Sequence, residues 1–205
     1  MDIIGILVLV ISFFFLLVAG VPVAYSIGVA GVLTMLVNID SLPALTTYAM
    51  RMASGLDSFA LLAIPFFILA GNIMNSGGIA LRLIDFAKVL VGRLPGGLAV
   101  VNVVANMLFG AISGSAAAAA SAIGSIMTPE MKKAGYDPNF SAAVNISSAT
   151  TGMTIPPSNV LIVYSLASGG VSVSALFMAG YLPGILTGVA IMIVAAMFAA
   201  RKGYP

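Results

Sequence analysis

The sequence predicts an all-α polytopic membrane protein, and its composition and charge pattern carry that prediction. Apolar residues make up 61% of the 205 residues and charged residues 7%, against about 45–50% and about 25% in average globular proteins. A soluble fold of this size could not cover its surface with eight basic and six acidic residues. Each uncharged stretch is long enough for the roughly 20 apolar residues of a spanning helix. These stretches are residues 3–39, 58–81, 94–129 and 138–200.

The same counts exclude several classes of function. The chain has no Cys and no His, which excludes disulfide frameworks, zinc clusters and Ser-His-Asp triads. We therefore expect neither an enzyme nor a resident cofactor. A net charge of +2 is too weak to predict nucleic-acid binding. Asp2 is the only charge before the first apolar run, so that run is predicted to be an uncleaved span rather than a signal peptide.

The first uncharged stretch predicts two spans. Its 37 residues would reach about 55 Å as one helix, nearly twice the roughly 30 Å of a bilayer core. Gly20-Val21-Pro22 is the natural break, which predicts spans over about 3–19 and 22–37; one long, tilted and kinked helix is the alternative. Apolar side chains then recur at three- and four-residue spacing through residues 42–56. This pattern predicts an amphipathic arm helix over about 43–57 at the membrane interface.

Residues 58–93 predict one further span and a polar connection. The 24 uncharged residues at 58–81 suffice for one crossing, and Pro65 predicts a kink in it. Residues 82–93 carry four charges, which is typical of a solvated loop. With the N-terminus outside, seven of the eight basic residues fall on the cytoplasmic side, and only Arg51 falls outside. The charge bias therefore predicts an external N-terminus and this loop in the cytoplasm.

The stretch 94–129 predicts a helical hairpin. Basic residues flank it at Arg93 and at Lys132-Lys133. Because basic loops favour the cytoplasm, the chain must enter and leave on the same face. Ser113-Gly114-Ser115 lies in the middle, with no charge or aromatic residue to mark an exposed loop. We therefore predict a re-entrant hairpin whose tip stays inside the protein.

The last stretch predicts a broken span over 138–168 and a continuous span over 171–200, divided at Ser168-Gly169-Gly170. The first span is interrupted by Gly152-Met153-Thr154-Ile155-Pro156-Pro157-Ser158. Two consecutive prolines remove two backbone donors and disfavour helix in the residue before them. The break is therefore predicted to lie at membrane depth.

The two predicted breaks together suggest an ion and solute site. Irregular backbone at membrane depth must be buried in protein or line a wet cavity, because hydrocarbon does not satisfy its polar groups. Carbonyl and hydroxyl oxygens suit a desolvated Na⁺, and amides at helix N-termini suit a carboxylate. No acidic side chain lies near either break, which favours a sodium site over a proton relay.

Several motifs resemble those of the large membrane subunit of tripartite ATP-independent periplasmic (TRAP) transporters. The resemblance keeps its order over nearly the whole chain, so it is more specific than any one motif. The matching segments are GVPVA at 20–24, IPFFILAG at 64–71, NSGGI at 75–79, GRLPGGLA at 92–99, SGS at 113–115, PEM to GY between 129 and 136, and IPPS at 155–158.

The resemblance implies a secondary transporter in the bacterial inner membrane, with a periplasmic N-terminus. Such a transporter uses a Na⁺ gradient to import carboxylate solutes such as sialic acids, C4-dicarboxylates or sugar acids. It implies three protein partners: a periplasmic substrate-binding protein, a small four-helix membrane subunit, and the C-terminal half of the same subunit. It also implies elevator-type motion against a scaffold formed by residues 1–57.

Matching motifs place the implied site on particular residues of this chain. The Na⁺ site would be formed by Ser113, Gly114, Ser115, Gly152, Thr154 and Ser158. The substrate would lie beside it, at Ser115, Asn145, Pro157 and Ser158.

The chain departs from the family pattern in two ways. Residues 116–120 are all alanine, where the family usually has an acidic residue, so no role of that acid is carried over. The family's large subunits are about twice as long and contain two inverted repeats, so this chain resembles the N-terminal half of the fold. The alternative functions are a passive channel subunit and a membrane scaffold without transport.

Structural roles for several of these residues also stay open. The small residues Gly110, Gly114 and 116–120 could simply let helices approach closely. Ser147, Ser148, Thr150 and Thr151 could bond back to carbonyls of their own helix.

Overall fold

The computed structural model describes residues 3–57 and 59–205, and every regular element in those ranges is a helix. The chain divides into two compact units, Met1–Ser58 and Phe59–Pro205. The first unit contains α1 (Ile3–Val18), α2 (Val23–Asn38) and α3 (Ser41–Leu56). The second contains α4 (Phe59–Ser76), α5 (Ile79–Val91), α6 (Gly97–Ser113), α7 (Ala116–Lys133), α8 (Pro138–Ala149), a 3₁₀ turn (Thr150–Met153), α9 (Asn159–Ala167) and α10 (Val173–Lys202).

In the first unit, α1 and α2 form an antiparallel pair. Gly20 has a φ of 81° between them, a left-handed conformation that suits glycine. A Cβ atom at Gly5, near the start of α1, would lie 2.6 Å from the Asn38 amide nitrogen at the end of α2. At Gly28 in α2, the same atom would lie 2.8 Å from the Tyr48 hydroxyl of α3. Small residues therefore set the close packing of these three helices.

The expectation of a solvated loop at residues 82–93 was wrong, because most of that segment is helix α5. Ala80, Ile84 and Ala87 are buried, whereas Arg82 and Asp85 are exposed. The buried positions are four and three residues apart, so they share one face of the helix. Three of the four charges that suggested a loop, those of Arg82, Asp85 and Lys88, therefore belong to an amphipathic helix.

The second unit is built around α6, which is its most buried helix. Both sides of α6 contribute to the core, including Val101, Val103, Ala105 and Phe109, which are at most 1% exposed. A helix that is buried all round packs against neighbours on every side. Helices α5, α7, α8 and α10 all contact it, and Gly71 of α4 packs on Ser113 at its C-terminal end.

Two glycines allow the hairpin to touch the interrupted segment through backbone alone. Gly110 lies in the last turn of α6 and Gly152 lies in the 3₁₀ turn after α8. A Cβ atom at Gly152 would lie 2.5 Å from the Gly110 Cα and 3.1 Å from its carbonyl carbon. No side chain fits between these two backbones. This contact brings α6 against the interrupted segment.

Helix α10 packs against the break through a row of glycines. A Cβ atom would lie 2.6 Å from the Thr154 carbonyl oxygen if added at Gly180, and 2.6 Å from Ile155 Cγ1 if added at Gly184. Of the described helices, α10 is the one that by itself is long and apolar enough to cross a membrane. Helices α1, α2 and α6 are apolar but only 16, 16 and 17 residues long.

An aromatic cluster joins the start of α8 to the end of α10. The rings of Phe140 and Phe198 stack at 5.8 Å between centroids, and those of Tyr136 and Tyr204 stack at 4.6 Å. Burial raises the pKa of Tyr136, and its hydroxyl donates to the Pro205 carbonyl oxygen. The cluster therefore fixes one end of the pair formed by α8 and α10.

Changing Gly110 to Ala should destabilise the protein, because its new methyl group would meet the Gly152 backbone. Overpacking of this kind costs about 1–3 kcal/mol, and the melting temperature should fall by several degrees, at about 2–4 °C per kcal/mol. Gly55→Ala is the matched control, since Gly55 is also helical and has nothing within 4 Å of its added Cβ. Thermal unfolding of the purified variants measures both. An equal melting temperature for the two variants would contradict the backbone contact.

Candidate functional site

The tip of the hairpin is a single left-handed residue between two helices. Gly114 ends α6 with φ 63° and ψ 14°, and its amide donates to the Gly110 carbonyl oxygen at 2.7 Å. Ser115 then begins α7 as its N-cap, with its hydroxyl accepting from the Ala118 amide at 3.4 Å. Ser113 is 2% exposed and donates its hydroxyl to the Ser115 carbonyl oxygen at 3.4 Å. The sequence Ser-Gly-Ser thus closes one helix and opens the next.

Local hydrogen bonds also hold the segment between α8 and α9, which we call the break. After the 3₁₀ turn, the Ile155 amide still bonds to the Thr151 carbonyl oxygen at 2.9 Å, and the helical pattern then stops at the prolines. Ser158 is fully buried and is the N-cap of α9. Its hydroxyl accepts from the Leu161 amide at 3.4 Å and donates to the Met153 carbonyl oxygen.

The structure brings the hairpin tip and the break into direct contact. A Cβ atom at Gly114 would lie 3.1 Å from the Pro157 carbonyl oxygen and 3.3 Å from the Asn159 side-chain oxygen. We call this place, formed by Gly114, Pro157 and Asn159, the tip contact. Behind it, Gly71 of α4 packs on Ser113, where an added Cβ would lie 3.2 Å from the Ser113 Cβ. Two unwound segments that are about 40 residues apart in sequence therefore share one buried location.

The remaining predicted ion-site residues lie on other sides of the break. Gly152 packs on Gly110, one turn of helix from the tip. The Thr154 carbonyl oxygen lies against Gly180 of α10. The hydroxyls of Ser115 and Ser158 serve as helix caps, so carbonyl oxygens are the freer ligands at this site. The break therefore presents one carbonyl, that of Pro157, to the hairpin and another, that of Thr154, to α10.

Asn145, predicted beside the substrate, lies within a buried polar cluster under the tip. Its side-chain oxygen accepts from the Asn106 amide at 3.0 Å, and its own amide donates to the Ala120 carbonyl oxygen at 2.9 Å. The Asn106 amide also lies 2.9 Å from the Ser148 hydroxyl and 2.6 Å from the Asn102 side-chain oxygen. Asn145 therefore ties α8 to both arms of the hairpin.

Sequence reasoning missed Asn102 and Asn106, both of which are fully buried. The signal was present, because the two asparagines are four residues apart in an uncharged stretch. At that spacing they lie on the same face of a helix. Polar side chains are costly in a membrane and normally face a partner helix. Asn159, which directly follows the Ile-Pro-Pro-Ser motif, was missed as well.

The electrostatics of the site come from backbone dipoles rather than charged side chains. No charged residue occurs in 94–129 or 138–200. The C-terminal end of α6 brings its last carbonyls to the tip, and the N-terminal ends of α7 and α9 bring free amides. Helix C-termini favour cations and N-termini favour anions. The arrangement therefore places helix ends that favour cations next to helix ends that favour anions.

Comparison with known proteins gives one family match. Residues 10–205 match the family described as the tripartite ATP-independent periplasmic transporter, DctM component. A relative in Salmonella typhimurium, the uncharacterized protein YgiK, is 58% identical over 200 residues. That match covers 98% of this chain and 46% of the relative.

Two further relatives carry functional names. The C4-dicarboxylate TRAP transporter large permease protein DctM of Vibrio cholerae is 42% identical, with 93% of this chain and 42% of that protein covered. The isethionate TRAP transporter permease protein DctMQ of Oleidesulfovibrio alaskensis is also 42% identical, with 92% of this chain and 29% of that protein covered. The chain thus spans less than half the length of these relatives. Because the family match covers nearly all of the chain, the protein belongs to the DctM family of TRAP transporter large membrane subunits.

Proposed function

We propose that this chain is part of a secondary active transporter that imports an organic anion in symport with Na⁺. The observation that carries the proposal is the tip contact, where two unwound segments meet in a buried place without a charged side chain. Neutral carbonyl oxygens are suitable ligands for a desolvated monovalent cation, and half-helix ends of this kind recur in secondary transporters. A fixed carboxylate, which a proton relay would use, does not occur in either segment.

Coupling would follow if Na⁺ and the solute each bind one closed arrangement of the tip more tightly than its other arrangements. Na⁺ between the α6 carbonyls and the break stabilises the arrangement in which the amides of α7 and α9 face the solute. By linkage, the solute then raises the affinity for Na⁺ by the same factor. Ser113, Gly114, Ser115, Gly152, Thr154 and Ser158 remain the proposed ion site. Ser115, Pro157 and Ser158 remain the proposed solute side, whereas the hydrogen bonds of Asn145 support a packing role for that fourth predicted residue.

The names of the relatives support an organic anion as solute. One name specifies C4-dicarboxylates and the other isethionate, which is a sulfonate. Both groups are anions that can accept hydrogen bonds from amides at a helix N-terminus. We propose a carboxylate solute, a class that includes C4-dicarboxylates, sialic acids and sugar acids. The chain is 42% identical to both relatives, so sequence identity does not select one solute.

The family description supports an assembly of several parts. It names a tripartite periplasmic transporter, which fits a periplasmic substrate-binding protein, a small four-helix membrane subunit and this large subunit. The relatives are more than twice as long as the matched region, so we propose that a C-terminal half completes the site. We also propose an inner-membrane location with a periplasmic N-terminus and elevator motion, with α1–α3 as scaffold.

Reconstitution tests the function directly. We expect proteoliposomes that hold the complete transporter and its binding protein to accumulate the solute when the Na⁺ gradient points inward. An equal K⁺ gradient is the control. Uptake down the solute gradient that ignores Na⁺ would indicate a channel, and no flux would indicate a scaffold; either result overturns the proposal.

Replacing Ser115 or Ser158 by Leu should reduce Na⁺-dependent uptake to background, because a bulky apolar side chain would occupy the tip or the break. Both changes also remove an N-cap, which costs about 1 kcal/mol. Ser172→Leu controls for that loss, since Ser172 is an exposed N-cap of α10 with the same 3.4 Å geometry. Initial rates at several Na⁺ concentrations measure the effect. Unchanged sodium dependence in both variants would contradict the site assignment.

Asn145→Ala should affect stability more than solute affinity, because both polar groups of this side chain bind the hairpin. The loss of two interhelical hydrogen bonds should lower the free energy of unfolding by about 1–3 kcal/mol. Asn139→Ala is the control on the same helix, where the side chain is exposed. A raised KM for the solute with an unchanged melting temperature would instead place Asn145 at the solute.

A further inference from the structure

Helices α8 and α10 meet at two places and separate between them. At the start of α8, the rings of Phe140 and Phe198 stack at 5.8 Å between centroids. Beyond the end of α8, Gly180 and Gly184 of α10 pack on the break. Between these contacts lies an open groove with a volume of about 740 Å³, which we call the α8–α10 groove. Its size is that of a ligand site, for which about 300–1,000 Å³ is usual.

The walls of the α8–α10 groove are mostly apolar. Small side chains line both helices where they separate, with Ala143 on α8 and Ala190 on α10, and Val194 adds a branched wall. All three side chains are exposed. The polar side of α8 faces the hairpin instead, through Asn145. A concave and exposed apolar surface of this kind is typical of a site for an apolar ligand.

The length of the groove matches one leaflet of a bilayer. On α10 its lining runs from Thr187 to Lys202, which is about 22 Å at about 1.5 Å of rise per residue. The whole of α10 has 30 residues and reaches about 45 Å. A spanning helix of a partner would pack along the roughly 30 Å of hydrocarbon, whereas an acyl chain occupies one leaflet, about 15 Å. The groove therefore fits an acyl chain and its head group better than a helix.

One end of the groove is basic. Lys202 lines this end, Arg201 precedes it in the last turn of α10, and α7 ends nearby in the two lysines at 132–133. In the part of the chain that the structure describes, Arg201 and Lys202 form no ion pair. Asp137 also lines this end, but its carboxylate caps α8 by accepting from two backbone amides. The basic side chains outnumber this carboxylate, so this end favours an anionic head group.

We propose that the α8–α10 groove binds an anionic phospholipid, with an acyl chain between the two helices and the phosphate at Lys202. Basic pockets between membrane helices on the cytoplasmic side suit such head groups. The charge bias of the sequence predicts that Lys202 lies on that side. The lipid fills the gap between α8 and α10, and thereby supports the helix that carries Asn145 against the hairpin.

Native mass spectrometry of the complete purified transporter tests the proposal. Delipidated protein in detergent is titrated with phosphatidylglycerol or with zwitterionic phosphatidylethanolamine, and the bound lipids are counted. We expect phosphatidylglycerol to bind at the lower concentration. Selectivity depends on the head group, because lipid tails gain little from leaving other hydrocarbon. Lys202→Gln should therefore raise the half-saturating concentration of phosphatidylglycerol about fivefold, the effect of one basic residue near anionic lipid.

Filling the groove tests the position of the acyl chain. Ala143→Phe places a ring between the helices, so this variant should lose one bound phosphatidylglycerol. Ala142→Phe and Lys132→Gln are the matched controls, since both residues are exposed and lie outside the groove lining. Both controls should bind phosphatidylglycerol as the parent does. If Ala143→Phe does not fold, Ala190→Phe fills the groove from α10 and gives the same reading.

Three results would overturn the proposal. Equal half-saturation by the two lipids would show that the head group is not recognised. An equal loss of affinity in Lys132→Gln and Lys202→Gln would show a general surface attraction instead of a site. An unchanged number of bound phosphatidylglycerol molecules in the groove-filling variant would show that the lipid binds elsewhere, as expected if a protein segment covers the groove.

Discussion

The second compact unit depends on one constraint, the need to shelter unpaired backbone groups where no water is available to satisfy them. Two segments interrupt their helices, and each leaves carbonyls and amides without intrahelical partners. The Gly110–Gly152 contact and the Gly114–Pro157 contact put these segments against one another. At membrane depth, interruptions of this kind are tolerated only where protein or a water-filled cavity shelters them. Together they form a place where backbone polarity can be used for binding.

The way the hairpin is held follows from the same constraint. In lipid, helices gain little from burying apolar side chains, so packing of small residues and interhelical hydrogen bonds take over. The glycines at 71, 110, 124, 180 and 184 let backbones or polar side chains approach closely. The asparagines at 102, 106 and 145 join three helices around one buried cluster. Glycines and buried asparagines therefore position the tip.

Much of the order of the helices could be predicted, because charged residues and helix-breaking residues mark many of the helix ends. The left-handed Gly20, the Ser-Gly-Ser tip and the double proline are local signals, and the chain bends or breaks at each of them. Helix α5 was missed because the four charges in residues 82–93 were taken to indicate a loop, although buried apolar residues recur there at four- and three-residue spacing. The capping role of Ser115 and Ser158 and the bracing role of Asn145 depend on where other segments lie. Spacing within one segment carries no information about those partners.

The absence of fixed charge in the two unwound segments bears on how the proposed site could carry its ligands across a membrane. A carboxylate ligand would bind a cation more strongly, but it would leave an uncompensated buried charge whenever the site was empty, at a cost of several kcal/mol. In the proposed site, a neutral oxygen such as the Pro157 carbonyl oxygen would avoid that cost in the empty state. Such oxygens would bind a lone cation weakly, and an anionic solute would then supply the missing counter-charge. A site made of dipoles thus favours the fully loaded and the empty states over the half-loaded one, which is the requirement for tight coupling.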